Sequence, residues 1–303
     1  MLDNTSFKLE YPFKNNSIDL NGLKYHYLDE GAGDPVVMVH GNPSWSFYYR
    51  NLAKALRNNY RVIVPDHIGC GLSDKPDDSR YSYTLEQRVD DLDALLTHLN
   101  IGDKVTLVLH DWGGMIGMAW ASRHPEKIAR LVILNTAAFH LPEMKAFPLG
   151  LKICRDTGLG TFLVRGLNMF ARGAAWVGCK RRRMPLELQN LYCSPYNNWQ
   201  NRIATLRFVQ DIPLQAEDPG YERISQVEAA LEKFSAVPMC ICWGEKDFVF
   251  DRKFLSEWRR HFPQAEVHSF PDCGHYILED AQDDVIPLIS QFLNDHPLDS
   301  SGT

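Results

Sequence analysis

The chain of 303 residues is 45% hydrophobic and 23% charged, the balance of an ordinary globular protein long enough to bury a sizeable core. Its net charge of −6 lacks the global basic footprint that phosphate neutralisation requires, so nucleic acid is not an expected partner. The opening "MLDNTSFKLEYPF" has no positive region followed by an apolar one, and no run of about 18 uninterrupted apolar residues occurs, so a cytoplasmic protein without a transmembrane segment is expected.

Near the N-terminus, "SIDL" and "LKYHYLDEG" flank Asn21-Gly22, a dipeptide that supplies the positive φ of a tight hairpin. An antiparallel pair therefore opens the sheet. Short β-branched runs follow: "PVVMVH" (Pro35–His40), "RVIVPD" (Arg61–Asp66), "KVTLVLH" (Lys104–His110) and "IARLVILN" (Ile128–Asn135). Helical patterns over Trp45–Arg57, Leu85–Leu99 and Gly114–His124 separate them. Continuous apolar strands alternating with helices predict a mostly parallel sheet covered on both faces.

From about Phe139 to Tyr221 the pattern is helical, rich in Leu, Met and aromatics, with no clear strand. Alternation resumes with "PMCICWG" (Pro238–Gly244), a helix over Phe254–His261, "AEVHSF" (Ala265–Phe270) and a last helix over Ala281–Leu293. The chain thus reads as an α/β core over 1–138, a helical cap over 139–225 and a second part of the core over 226–303. The seven cysteines are scattered without paired zinc spacing and read as free thiols in a reducing compartment. Cys240 and Cys242 fall two apart in a strand and should share a face. Neither a metal nor a cofactor is expected.

Functional groups of open α/β sheets gather outside the carboxyl ends of the strands. At one such end, "VTLVLHDWGGMIGMAWA" places Asp111 between an apolar strand and a small-residue helix, the context of a nucleophile elbow. Gly113 and Gly114 suit its crowded side, whereas Leu109 is larger than the Gly of the usual hydrolase pattern. Asp111 as a simple helix N-cap is the competing reading. Elbow enzymes run nucleophile, acid, histidine, and Asp247 after "MCICWG" and His275 in "PDCGHYILED" satisfy that order. Glu245 competes with Asp247 for the acid but lies nearer the strand end, where it would anchor the turn. In "VHGNPSW" and at the elbow, Asn42 and Trp112 would supply backbone N–H donors for a developing anion, and both carry side-chain N–H groups as well.

With these residues in view, the sequence resembles the α/β-hydrolase superfamily and, within it, the haloalkane dehalogenase branch. "HGNPSW", "DHIGCGLSDKP", "HDWGG", "WGEKDFVF" and "GHYILED" carry the resemblance in the right order across most of the core. It implies an α/β-hydrolase fold with Asp111 as nucleophile, His275 as base, Asp247 as its orienting acid, and Asn42 and Trp112 holding the leaving group. "LVRGLNMFARGAAWVG" and "SPYNNWQNRIATLRFVQDIPL" look like the third dehalogenase subclass and, inside it, the β-lactone decarboxylases of bacterial long-chain olefin biosynthesis. That likeness implies decarboxylation of a cis-β-lactone to a long-chain cis-alkene and CO₂, with haloalkane hydrolysis through an alkyl-aspartate ester as the alternative. The shared residues do not separate the two. Tyr192, Tyr196 and Tyr221 keep an epoxide hydrolase reading open, and a non-catalytic binding module is a further alternative.

The expected ligand is a small hydrophobic substrate. Lys145–Arg183 holds nine Lys and Arg against only Asp156, ending in the run Lys180-Arg181-Arg182-Arg183. A solvated cap face is one reading of it. The others are a contact with a membrane surface or assembly with other enzymes of an olefin pathway.

Overall fold

A computed structural model describes residues 4–143 and 145–298. After a short helix α1 (Asn4–Glu10), strands β1 (Asn16–Leu20) and β2 (Leu23–Glu30) pair antiparallel across a turn in which Asn21 and Gly22 have φ of 54° and 77°. Both central residues are left-handed, as a hairpin turn matched to strand twist needs. β3 (Pro35–Val39) follows, then α2 (Arg50–Leu56), β4 (Arg61–Pro65) and α3 (Leu85–His98). The helix expected over Trp45–Arg57 starts as a 3₁₀ turn at Ser46–Tyr49, and Trp45 itself is extended at φ −153°. β5 (Val105–Asp111) leads directly into α4 (Trp112–Arg123), and β6 (Ile128–Thr136) follows.

Between β6 and β7 the regular elements are helical: α5 (Leu149–Asp156), α6 (Gly158–Thr161), α7 (Met169–Val177), α8 (Leu186–Cys193), α9 (Ile203–Gln210) and α10 (Tyr221–Ala230). The cap boundary expected at 225 falls inside α10, which packs on α4 of the core. The chain closes with β7 (Met239–Gly244), α11 (Arg252–His261), β8 (Glu266–Phe270), α12 (Ile277–Asp280) and α13 (Gln282–Asp295).

The strands form one eight-stranded sheet in the order β1-β2-β4-β3-β5-β6-β7-β8, antiparallel at the β1 and β2 edge and parallel from β4 to β8. Side chains alternate between two cores. Val37, Val39, Leu107 and Leu109 face a cluster with α3, α4 and α10, while Val36, Met38 and Val108 face one with α2 and α13. This two-sided burial is why β5 is buried along its whole length and lacks polar alternation. Cys240 and Cys242 share the second face as expected, as free thiols whose sulfurs are in hydrogen-bond contact at 3.9 Å.

The structure also accommodates the bulky Leu109. A Cβ on Gly117, one turn into α4, would overlap the Leu109 side chain, so glycine there makes the room that a Gly at 109 would otherwise leave. Gly113 lies against the Val39 carbonyl in the same way, which lets α4 start hard against β3.

Candidate active site

The expected strand end at His110 moves by one residue: Asp111 still pairs with Thr136 of β6, across a register shift at His110/Asp111. The backbone then turns sharply, with Asp111 at φ 53° and ψ −128°. A left-handed φ at a non-glycine residue costs about 1–2 kcal/mol, and local hydrogen bonds hold it here. Thr136 Oγ1 donates to the Asp111 carbonyl, and the Asn42 backbone N–H donates to Asp111 Oδ1 at 2.5 Å. Asp111 makes no side-chain cap to α4, so the N-cap reading falls.

His275 follows β8 and brings its Nε2 to 3.6 Å from Asp111 Oδ2. Its Nδ1 lies 2.7 Å from Asp247 Oδ2, just past β7. Because the carboxylate can only accept, Nδ1 carries the proton and Nε2 faces Asp111. Burial pushes the His275 pKa down, but the Asp247 carboxylate, with Asp111 adding to it, leaves the imidazole above its ordinary value. Burial raises the Asp111 pKa, against the pull of His275 and of the Trp112 and Asn42 N–H groups. Glu245 is engaged elsewhere, accepting from Ser269 Oγ at 2.5 Å and pairing with Arg252, so it anchors the turn after β7.

Two positioning residues were not assigned roles by the sequence. Asn135, left-handed at φ 35° at the end of β6, donates from Nδ2 to Gly244 O at 2.9 Å and Asp247 Oδ2 at 3.1 Å. Its Oδ1 accepts from the Gly244 N–H at 2.8 Å. With Val249 N donating to Oδ1 at 2.8 Å, Asp247 is held on both oxygens. His110, fully buried, donates from Nε2 to the His275 carbonyl at 2.9 Å and lies ring to ring with His275 at 4.6 Å. Burial holds its pKa well below the usual histidine range, so it supports His275 as a neutral ring.

Asn42 spends one Nδ2 hydrogen on the Thr205 carbonyl of α9 at 3.0 Å, and its Oδ1 is buried without a partner among the described residues. Trp112 packs on Phe208 with ring centroids 5.4 Å apart, and the buried Arg88 lies 3.7 Å from the same Phe208 ring. Arg88 pairs with Asp211 at 3.1 Å, whose carboxyl burial pushes up to about 6.

Asp111, His275, Asn42 and Trp112 open onto one cavity of about 590 Å³, whose body is lined by Leu151, Leu163, Phe170, Val209, Ile212 and Phe248. A concave apolar chamber with a few convergent polar groups at one end is the usual form of a small-molecule site. Tyr192, Tyr196 and Tyr221 lie outside its lining. Tyr192 donates to Glu279 at 2.6 Å, Tyr196 donates to the Ser44 carbonyl at 3.3 Å, and Tyr221 lies on His140. A pair of cap tyrosines aimed at an epoxide oxygen is therefore not present among the described residues.

The alpha/beta hydrolase fold family matches residues 34–282. A relative from Shewanella oneidensis named cis-3-alkyl-4-alkyloxetan-2-one decarboxylase is 61% identical over 94% of this chain and 89% of its own length. A protein of the same name from Xanthomonas campestris is 49% identical over 95% of this chain and 98% of its own. Among solved structures, a mutant of the haloalkane dehalogenase DatA from Agrobacterium tumefaciens superposes with a TM-score of 0.82 at 25% identity, covering 93% of this chain and 96% of that one. The chain belongs to the α/β-hydrolase fold family, in the group that holds these decarboxylases and the haloalkane dehalogenases.

Proposed function

We propose that the protein is a β-lactone decarboxylase that converts a cis-3-alkyl-4-alkyloxetan-2-one to a cis-alkene and CO₂. The observation that carries the reading is the cavity of about 590 Å³, with Asp111 and His275 at one end and apolar walls elsewhere. Such a chamber suits a four-membered lactone head with two alkyl chains. The names of the relatives at 61% and 49% identity support the same substrate class.

In this reading Asp111 is the nucleophile. Asn42 N–H holds Oδ1 at 2.5 Å, which leaves Oδ2, on the His275 side, as the attacking oxygen. A carboxylate suits an electrophilic carbon whose leaving oxygen needs charge stabilisation; with the Asn42 backbone N–H on Oδ1 and one Nδ2 hydrogen on Thr205, the second Nδ2 hydrogen of Asn42 and the Trp112 indole N–H provide it. Over the whole reaction the ring loses its C4–O and C2–C3 bonds, C3 and C4 become the alkene, and the carboxyl atoms leave as CO₂. No water is consumed, so a closed apolar chamber favours the outcome. The helical segment over 139–225 acts as the cap that closes it. A cytoplasmic location and hand-over from enzymes that make the lactone belong to the same proposal.

Haloalkane hydrolysis is the second reading, favoured by one observation: the Trp112 indole N–H has no hydrogen-bond partner among the described residues and borders the cavity beside Asn42. There Asp111 would displace halide and His275 would activate water to cleave the resulting ester. Purified protein offered a synthetic cis-dialkyl β-lactone and, in parallel, a bromoalkane panel decides between them. Alkene without bromide is expected; bromide without alkene would transfer the assignment to the second reading.

A further inference from the structure

The helix α7 has two apolar sides and only one of them is inside. Met169, Phe170, Gly173, Ala174 and Val177 line the cavity, while Arg172 and Trp176, four apart, share the outer face and Met169 borders both. Trp176 is 59% exposed and Met169 52%, large values for such side chains. Met169 and Val177 are both exposed and part of the cavity wall, as are Leu141 and Phe248 across from them, so these four form its rim. The mouth of the chamber is therefore apolar and continuous with an exposed tryptophan.

Cations surround that tryptophan. The Arg183 guanidinium lies 5.4 Å from the Trp176 ring centroid. Arg172, Lys180, Arg182 and Arg183 are exposed and form no ion pair among the described residues. Arg181 differs, being held by Asp272 at 2.7 Å and by Asp284 at 2.5 Å. The backbone of the run is fixed as well: the Lys180, Arg181 and Arg182 N–H groups all donate to the Asp280 carboxylate. Over residues 145–199 the acids are Asp156 and Glu187, and Asp156 is already paired with Arg155. In space, Asp280 is taken up by the backbone of the run and Asp272 and Asp284 by Arg181, so the exposed cations left without an ion pair among the described residues are Arg172, Lys180, Arg182 and Arg183.

We propose that this face, the outer side of α7 with the cavity rim and the Lys180–Arg183 turn, docks onto an anionic lipid bilayer. Exposed Trp and aliphatic side chains beside unpaired Lys and Arg are the composition that buries an apolar face at the headgroup level and meets anionic lipids. A second copy of the chain fits less well, because an isologous contact would press this patch, with its unpaired Arg and Lys side chains, against the same patch of the copy. The consequence rests on the lactone reading above: a dialkyl substrate would pass from the acyl layer into the chamber through Met169, Val177, Leu141 and Phe248 without crossing water.

The test is flotation of the full chain with vesicles of phosphatidylethanolamine and phosphatidylglycerol against vesicles of phosphatidylcholine alone, without substrate. Binding to the anionic vesicles, weakened by 0.5 M salt, is expected, by analogy with polybasic surfaces screened within a Debye length of about 4 Å. Each cation at an anionic surface is worth about fivefold in partition, so Arg172→Glu/Arg183→Glu should lower it by at least about 25-fold. Trp176→Ala should weaken binding to both vesicle types. Both variants alter exposed residues outside the cavity lining, so their melting temperatures and their turnover of detergent-dispersed substrate should match the parent. Absence of binding by the parent, or binding that neither variant weakens, overturns the proposal. So does a stable oligomer that Arg172→Glu/Arg183→Glu dissociates, since the face would then belong to another copy. Vesicle partition is read without catalysis, so its failure leaves the lactone assignment standing, and failure of that assignment leaves the partition result standing.

Discussion

Replacing Asp111 by Asn should stabilise the protein. The Asp111 carboxyl is buried at the tip of β5, and that burial is the main force raising its pKa above the ordinary 3.8. A carboxyl with a raised folded-state pKa binds its proton more tightly folded than unfolded. Its ionisation therefore subtracts from stability as pH rises through the folded pKa, and the penalty is absent below the unfolded value. Asp111→Asn removes the charge while its amide oxygen can still accept the Asn42 N–H now at 2.5 Å. Asn also tolerates a φ of 53°, so no new backbone strain enters. Part of the gain is lost with the attraction to His275 at 3.6 Å. From mutational costs of buried polar groups, the net gain at pH 8 is about 1–2 kcal/mol. For a chain of 303 residues that is a rise of about 2–3 °C in Tm. Thermal melts of both proteins from pH 4 to pH 9 test it: the variant should melt higher at pH 8, with the gap closing toward acid. An equal or lower melting temperature at pH 8, or a gap indifferent to pH, would refute the reasoning. If Asp111 were only a helix cap, Asn would serve equally well and the melts would coincide.

Other substitutions probe the surroundings. Asn135→Ala strips the Gly244 N–H of its acceptor, takes one donor from Asp247 and places a residue with a Cβ but no local hydrogen bond at φ 35°. It should cost about 2–4 kcal/mol in thermal or urea unfolding and lower kcat about tenfold with KM nearly constant; parent-like kinetics would remove Asn135 from the positioning of Asp247. Trp112→Phe keeps the ring packing on Phe208 but deletes the indole N–H. Steady-state kinetics should show kcat lower by about 10²-fold, whereas an unchanged rate would mean that the indole does not meet developing charge. Glu245→Gln should leave kcat/KM within about twofold, because Glu245 serves Ser269 and the surface residue Arg252. A loss comparable to that of Asp247→Asn would reassign the acid.

Much of the site was legible because its chemistry is written locally. An apolar run ending in Asp111 and followed by Trp112-Gly113-Gly114 specifies a strand, a sharp turn and a helix. Asp247 and His275 then stand after later strands in the order elbow enzymes use, and the structure brings all three side chains together. The supporting residues were not legible because their contacts span the chain. Asn135 reaches Asp247 over 112 residues, and His110 reaches the His275 carbonyl over 165. No local pattern marks such pairs. The same holds for Leu109, whose departure from the usual pattern is absorbed by Gly117 eight residues on. In the cap, composition announced helices and an apolar character. Which face of α7 lines the chamber and which meets solvent follows only from how the helix sits over the sheet.

Turnover of a cis-dialkyl β-lactone by Asp111→Ala bears most directly on the assignment of Asp111 as nucleophile. Alkene and CO₂ should be released in equal amounts by the parent, and the variant, shown by its melting curve to be folded, should lose at least about 10⁴-fold in kcat. Retention of activity within about tenfold of the parent would contradict nucleophilic attack by Asp111.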